Sequence, residues 1–459
     1  MQDTEVVTIN YILFSLLSII GLSMVGLFFD DNISIFILSI FFTILGVAIS
    51  YVLNIEGDIK NSIYLFLLFF AIYLLYTLVI TLGLIEMYGV KNIKGDELFF
   101  YTASNDVYIK LKNGYGFFDI ANITLYGDTS GAVYFYGIVA TIANIYGENS
   151  VLVQKVGVAF ISSLIPMVMY GISRLYFSEK ISITVAILYG LFSFVPYLSS
   201  TLLRDIHIAL MFILTIYIIL QKLSILNLII LFCISFSSYY LREQTGLFMM
   251  GFTMIYFFVF VNFFVKNRYI VYLIYTVFLS IVIIVILNSS IMDMIELISN
   301  SSAKRSVEQA TSGSMGAKIA KLPYGLNIIA LLGFSQIQPF PPSWIFDKSN
   351  KGILELSYLI AAITWFLGWG FLLYGLFFKN ILNRVDLKLK LMFLFSIVYL
   401  VLIAVIDFSQ RRQMPVYPML YLIMVFSYFE MTITERTKIW VGMSILYITL
   451  VLTINYIKI

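Results

Sequence analysis

A succession of mostly apolar runs, each long enough for a helix to cross a hydrocarbon core, is what most limits the fold of this chain. Backbone groups in lipid must be satisfied internally, so such runs predict helices rather than open sheet. They fall at about 9–29, 32–54, 62–87, 131–147, 151–176, 181–203, 205–221, 225–241, 244–265, 269–289, 353–378, 389–407, 414–430 and 438–457. The fold expected is an all-α polytopic transmembrane bundle of about 12–14 spans, forming one membrane domain over residues 1–459.

Composition agrees. The chain is 61% hydrophobic and 12% charged, with a mean hydropathy of +0.98, whereas soluble domains carry about 25% charged residues. A net charge of +3 gives no case for a nucleic-acid partner. Cys233 is the single cysteine and His207 the single histidine, which excludes a disulfide framework and a Cys- or His-rich metal cluster. Any metal bound here is expected to be a hard divalent cation held by carboxylates. Residues 1–10 carry Asp3 and Glu5 but neither Lys nor Arg, unlike the start of a signal peptide, so the first run is expected to be a retained span.

Two stretches are not apolar and are expected as extracytoplasmic loops: 88–130 and 290–352. Orientation follows from basic residues in the short connections. Arg174 with Lys180, Lys222, Lys266 with Arg268, Arg384 with Lys388 and Lys390, and Arg436 with Lys438 mark alternate turns as cytoplasmic. The turns at Arg204, Arg242 and Arg411, and the loop 290–352, then face outside. Counting forward from a cytoplasmic Met1 also puts 88–130 outside. The two counts agree only if one segment between 131 and 203 fails to cross. Run 131–147, short and carrying Tyr134, Tyr136 and Tyr146, is expected to be re-entrant or interfacial.

The chemistry-bearing residues cluster at span ends. Lys94-Gly95-Asp96-Glu97 leads into Leu98-Phe99-Phe100-Tyr101. Leu203-Arg204-Asp205-Ile206-His207 is wedged between two apolar runs, and Tyr239-Tyr240-Leu241-Arg242-Glu243 follows another. Asp407 to Pro415 contains Arg411 and Arg412, and the loop 290–352 contains Lys304, Arg305, Lys318 and Lys321 before Gln338-Pro339-Phe340-Pro341-Pro342-Ser343-Trp344. Charge at membrane depth is costly and points to function. Each cluster also has a plain structural reading: Asp and Glu favour helix starts, and Arg and Lys snorkel at helix ends. Taken together, one face holds arginine forks that suit phosphate oxygens. The same face holds carboxylates able to act as general base or metal neighbour. The candidate catalytic residues are Asp96, Glu97 and Asp205. The candidate phosphate-binding residues are Arg204, Arg242, Arg305, Arg411 and Arg412, and no metal ligand set is assigned.

From Gly95 to about Leu220 the chain resembles the GT-C class of polytopic glycosyltransferases, especially those related to dolichyl-phosphate-mannose-protein mannosyltransferases. The resemblance lies in an order of features: Asp96-Glu97 with Phe100-Tyr101 and Ala103, then Gly114-Tyr115-Gly116, then Ile145-Tyr146-Gly147-Glu148-Asn149. Gly171 to Lys180, Phe194-Val195-Pro196 and Arg204-Asp205 complete it. It implies Asp96 (with Glu97) and Asp205 flanking the site, with sugar taken from a polyprenyl-phosphate donor at the outer face. The acidic loop follows the third span, whereas the family commonly carries it after the first. The second half looks instead like bacterial O-antigen repeat-unit polymerases, whose external arginines engage undecaprenyl-pyrophosphate-linked glycans; Arg242, Lys304, Arg305, Arg411 and Arg412 fit that role.

The function expected is glycosyl transfer in cell-surface polysaccharide assembly at a bacterial cytoplasmic membrane. A repeat-unit polymerase leads, with a single-sugar GT-C transferase as the alternative. Its partners would be a polyprenyl-linked sugar or oligosaccharide, the bilayer, and a chain-length regulator or other assembly protein. A flippase for lipid-linked oligosaccharide is the rival from another class, and a non-enzymatic membrane scaffold a second. A flippase would carry charges mid-helix and show repeat symmetry; neither is seen in this sequence.

Overall fold

The computed structural model describes residues 2–53, 58–88, 95–116, 130–273, 275–276, 280, 319, 322–323, 326–337, 352–406 and 410–458. These residues form helices and connections only. In chain order the helices are α1 (Gln2–Asp30), α2 (Ile33–Leu53), α3 (Ile59–Tyr88), α4 (Asp96–Lys112), α5 (Ser130–Tyr146), α6 (Val151–Arg174), α7 (Glu179–Phe192), α8 (Val195–Ser199) and α9 (Asp205–Leu220). They continue with α10 (Ile225–Leu241), α11 (Glu243–Phe264), α12 (Leu326–Ile337), α13 (Gly352–Phe378), α14 (Leu387–Ile406), α15 (Gln410–Gln413), α16 (Tyr417–Phe429) and α17 (Ile433–Lys458). Six of them, α1, α2, α3, α6, α11 and α13, are long and apolar enough to cross a membrane; α5, α9 and α10 are apolar but shorter.

Helix α6 is the post around which the bundle is built. Every side chain from Leu152 to Ser173 is buried. Phe42 of α2 stacks on Phe160 at 4.6 Å, and Tyr73 of α3 donates to the Gly190 carbonyl of α7 at 2.8 Å. The outer helices show the opposite pattern. On α1, Phe14, Leu17, Met24 and Phe28 are exposed, and Phe28 keeps 83% of its surface. A ring of bare apolar side chains around a packed centre is what lipid requires and what water would penalise.

Charged and polar contacts gather at the two ends of the bundle. At one end, Arg384 pairs with Glu430, Lys379 with Glu435 at 2.9 Å, Tyr170 donates to Asp58, and the Gln221 carbonyl accepts from Lys388. At the other lie the α1–α2 turn, the starts of α4, α6 and α9, and the α10–α11 break.

Helix α5 lies across this second end. Its Gly131 abuts the Tyr240 backbone near the end of α10, and Tyr136 donates to the Leu203 carbonyl at 3.1 Å. The Ala143 carbonyl accepts from Ser34 at the start of α2 at 2.7 Å. All three partners sit at the same end of the bundle, so α5 rests over it, alongside α4.

The stretch 290–352, expected as a loop, contains α12. Its side chain Gln336 donates to Gln413 at 2.6 Å and accepts from the Trp365 indole at 2.9 Å. Its apolar sequence Leu326-Asn327-Ile328-Ile329-Ala330-Leu331-Leu332 is too short to have been read as a span. The run 181–203 is also not one helix. It stops at Phe192, restarts briefly at Val195 with Pro196 in its first turn, and ends in an irregular descent to Arg204.

Candidate functional site

Four chain breaks meet at the end covered by α4 and α5, and each delivers charge. Gly95 sits at φ 59, ψ −128, a conformation in which an L side chain is strained, and this turns the chain into α4 with Asp96 as its first residue. Asp205 is the first residue of α9, where the positive end of the helix dipole favours a carboxylate. Arg242 occupies the extended residue between α10 and α11. Arg411 and Arg412 lie in the single turn of α15.

These residues line one cavity of about 280 Å³: Asp96, Arg204, Asp205, Arg242, Arg411 and Arg412, with Phe99, Phe100 and Leu203 between them. Four guanidiniums face two carboxylates, so the cavity carries two net positive charges. Arg242 donates to Asp205 at 2.9 Å, with both side chains less than a tenth exposed. Arg242 Nε is buried without a hydrogen-bond partner. Arg411 donates to Asp96 at 3.2 Å, but this pair is open, with Asp96 63% and Arg411 38% exposed. Arg204 donates to the Leu241 carbonyl at 3.3 Å, and the Arg412 carbonyl accepts from Tyr399 at 3.1 Å.

Six of the eight residues singled out in the sequence therefore share this cavity. Glu97 is the exception among the acids. Its carboxylate accepts from the Leu202 backbone N–H at 2.8 Å and lies 3.9 Å from Lys155 Nζ. It thus anchors the irregular segment before α9 and does not line the cavity. Lys155, buried in the first turns of α6, was not singled out in the sequence; a lysine near the start of a long, mostly apolar run gives no signal of what it faces. Arg305, Lys304, Lys318, Lys321, the segment 338–344 and Asp407 lie outside the described residues.

His207 packs its ring edge-on to Phe135 and Tyr136, at 4.8 and 5.4 Å between centroids. It is buried in the first turn of α9. Among the described residues no group of three or more His, Cys, Asp or Glu converges as a metal site would need. The carboxylates of the cavity, Asp96 and Asp205, are each engaged by an arginine.

Chemically the cavity can hold an anion with more than one ionised oxygen and keep a solvent-reachable carboxylate beside it. The guanidinium forks suit phosphate oxygens bidentately. Searches against family models, curated proteins and solved structures match nothing to this chain.

Proposed function

We propose that this chain is an integral-membrane glycosyl-transferring enzyme of cell-surface polysaccharide assembly, acting on polyprenyl-pyrophosphate-linked glycans as a repeat-unit polymerase. The observation that carries it is the arginine cavity with Asp96 at its open edge. Two net positive charges match the two ionised oxygens of a pyrophosphate diester. A lipid-linked substrate also explains why the cavity stands at the end of a lipid-embedded bundle, with the tail running among the helices.

The division of labour follows from exposure. Asp205 is buried and spoken for by Arg242, so it orients that guanidinium and balances its charge. Asp96 is open and is the base. A phosphate drawing Arg411 toward itself releases the Asp96 carboxylate. Asp96 then takes the proton of an acceptor hydroxyl as that oxygen attacks the anomeric carbon. The bond from that carbon to the phosphate oxygen breaks, and the leaving polyprenyl pyrophosphate keeps the electron pair, steadied by Arg204, Arg411 and Arg412. The finer account of 12–14 spans, with α9 and α10 crossing between longer neighbours, belongs to this reading, as does a site facing out of a bacterial cytoplasmic membrane.

A single-sugar transferase of GT-C type is the second reading, supported by the acid at the head of the first loop helix. A flippase is less well supported, because the charged cavity stands at one end of the bundle. Asp96→Asn and Arg411→Ala are expected to abolish polysaccharide extension while the protein still reaches the membrane. Full extension in both variants overturns the reading. Deleting the gene leaves single-repeat chains if the polymerase is right, and chains shortened by one sugar if the transferase is.

A further inference from the structure

A second cavity, of about 400 Å³, opens at the same end of the bundle between the α1–α2 turn and the α5–α6 turn. Its size falls in the range of small-molecule sites. Its wall combines Tyr101 and Tyr146 with Asp30, Asp31, Glu148 and Asn149. Its frame is fixed: Asn32 donates to the Glu148 carbonyl at 2.6 Å, Tyr101 to the Asn149 carbonyl at 3.1 Å, and Ser150 to Asp30. Asp31 holds φ 45 in the turn, a conformation that Asp and Asn tolerate better than other side chains.

We propose that this cavity is a carbohydrate subsite that binds a hydroxyl-rich stretch of glycan. Three carboxylates and no Lys or Arg line it, so a phosphate or other anion would be repelled. A metal ion is disfavoured, since no three such groups converge among the described residues. What remains is a ligand that donates many hydrogen bonds and carries apolar faces. Sugar hydroxyls donate to carboxylates, and sugar C–H faces pack on tyrosine rings, which supply apolar area with a polar rim.

The subsite shares a helix with the arginine cavity. Asp96, Phe99 and Phe100 line one cavity and Tyr101 the other. Five residues of α4 set Asp96 and Tyr101 roughly 7.5 Å apart along the axis. Five residues are also about 140° of turn, so the two side chains leave opposite faces of α4, and a glycan seated on Tyr101 and Tyr146 reaches Asp96 only by passing around that helix. Its role as acceptor subsite rests on the reading of Asp96 as the base; its binding of glycan does not.

The test is calorimetric titration of the full-length protein in detergent with the lipid-free repeat-unit oligosaccharide released from the cell's own surface polysaccharide. Wild type is expected to bind it. Tyr146→Ala and Glu148→Gln, both exposed side chains, are expected to bind at least about tenfold more weakly, the scale of one hydrogen bond to a charged group. Arg411→Ala is expected to bind as wild type does. No binding by wild type, or equal binding in the Tyr146 and Glu148 variants, overturns the subsite. So does a loss in Arg411→Ala as large as theirs, which would put the glycan in the arginine cavity. Asp96→Asn that still extends polysaccharide defeats the base assignment alone and leaves the binding result standing.

Discussion

Removing one arginine from each of the two ion pairs in the cavity should lower stability by very different amounts. Arg242 and Asp205 lie 2.9 Å apart with side-chain exposures of 7% and 4%. Arg242→Ala leaves a carboxylate in a buried setting without its partner, a loss of about 3–5 kcal/mol. The remaining arginines of the cavity offset part of this, so the lower figure, about 3 kcal/mol, is expected. Arg411 and Asp96 are 3.2 Å apart but exposed by 38% and 63%. Water screens that pair, and its loss costs about 0.2–1 kcal/mol. Both variants should lose polysaccharide extension, Arg411→Ala through one charge-assisted bond to phosphate, about 1.5–3 kcal/mol or ten- to hundredfold. The assay is thermal unfolding of detergent-purified protein at one scan rate, beside polysaccharide banding in cells. Arg242→Ala should unfold at a clearly lower temperature than wild type, and Arg411→Ala within a degree or two of it. Equal destabilisation by the two substitutions refutes the division into a closed, structural pair and an open, working one.

Three other substitutions probe the frame. Gly95→Ala imposes a side chain on φ 59 and ψ −128, a strain of about 1–3 kcal/mol. It should misdirect Asp96 and cut extension activity more than it lowers the unfolding temperature. Gln336→Leu removes both the donor to Gln413 and the acceptor for the Trp365 indole. Leaving such buried groups unsatisfied costs about 1–3 kcal/mol each, read as a lower unfolding temperature together with weaker extension, because Gln413 adjoins Arg412. Gly46→Val would place a Cβ 1.9 Å from the Phe66 ring. Overpacking of about 1–3 kcal/mol should lower the unfolding temperature, with activity per folded molecule retained.

The helices and the charged span ends were legible because each is a local property. An apolar run announces a span, and Asp205 or Arg242 at its edge stands out against it. What the residues could not announce was pairing across the bundle. Asp205 finds Arg242 thirty-seven positions away, and Asp96 finds Arg411 at the other end of the chain. Glu97 and Asp96 read alike as adjacent acids. Successive helical residues point about 100° apart, so one entered the cavity and the other turned to Leu202. Helix α12 was hidden by its length, and the break at Phe192 by the apolar residues on both sides of it. The second cavity gave no signal, because it is assembled from two short turns 116 residues apart.

The arrangement of ends also turns orientation into a measurable quantity. The basic residues at Arg174, Lys388 and Arg384 lie at the end of the bundle opposite the cavities, tied there by contacts with the Phe177 carbonyl, the Gln221 carbonyl and Glu430. The excess of Lys and Arg in cytoplasmic loops then predicts that both cavities face outward. Cys233 is exposed on α10 and must first be replaced by serine. Single cysteines at Glu148, beside the polar cavity, and at Asn383, in the opposite turn, both stand on exposed positions. A membrane-impermeant maleimide should label Glu148→Cys in intact cells, and Asn383→Cys only after the membrane is opened. The reverse pattern would put the arginine cavity in the cytoplasm. A polymerase drawing on glycans already moved across the bilayer could not then work there. Charge bias and chemistry make the same demand on one surface, so a single labelling experiment bears on both.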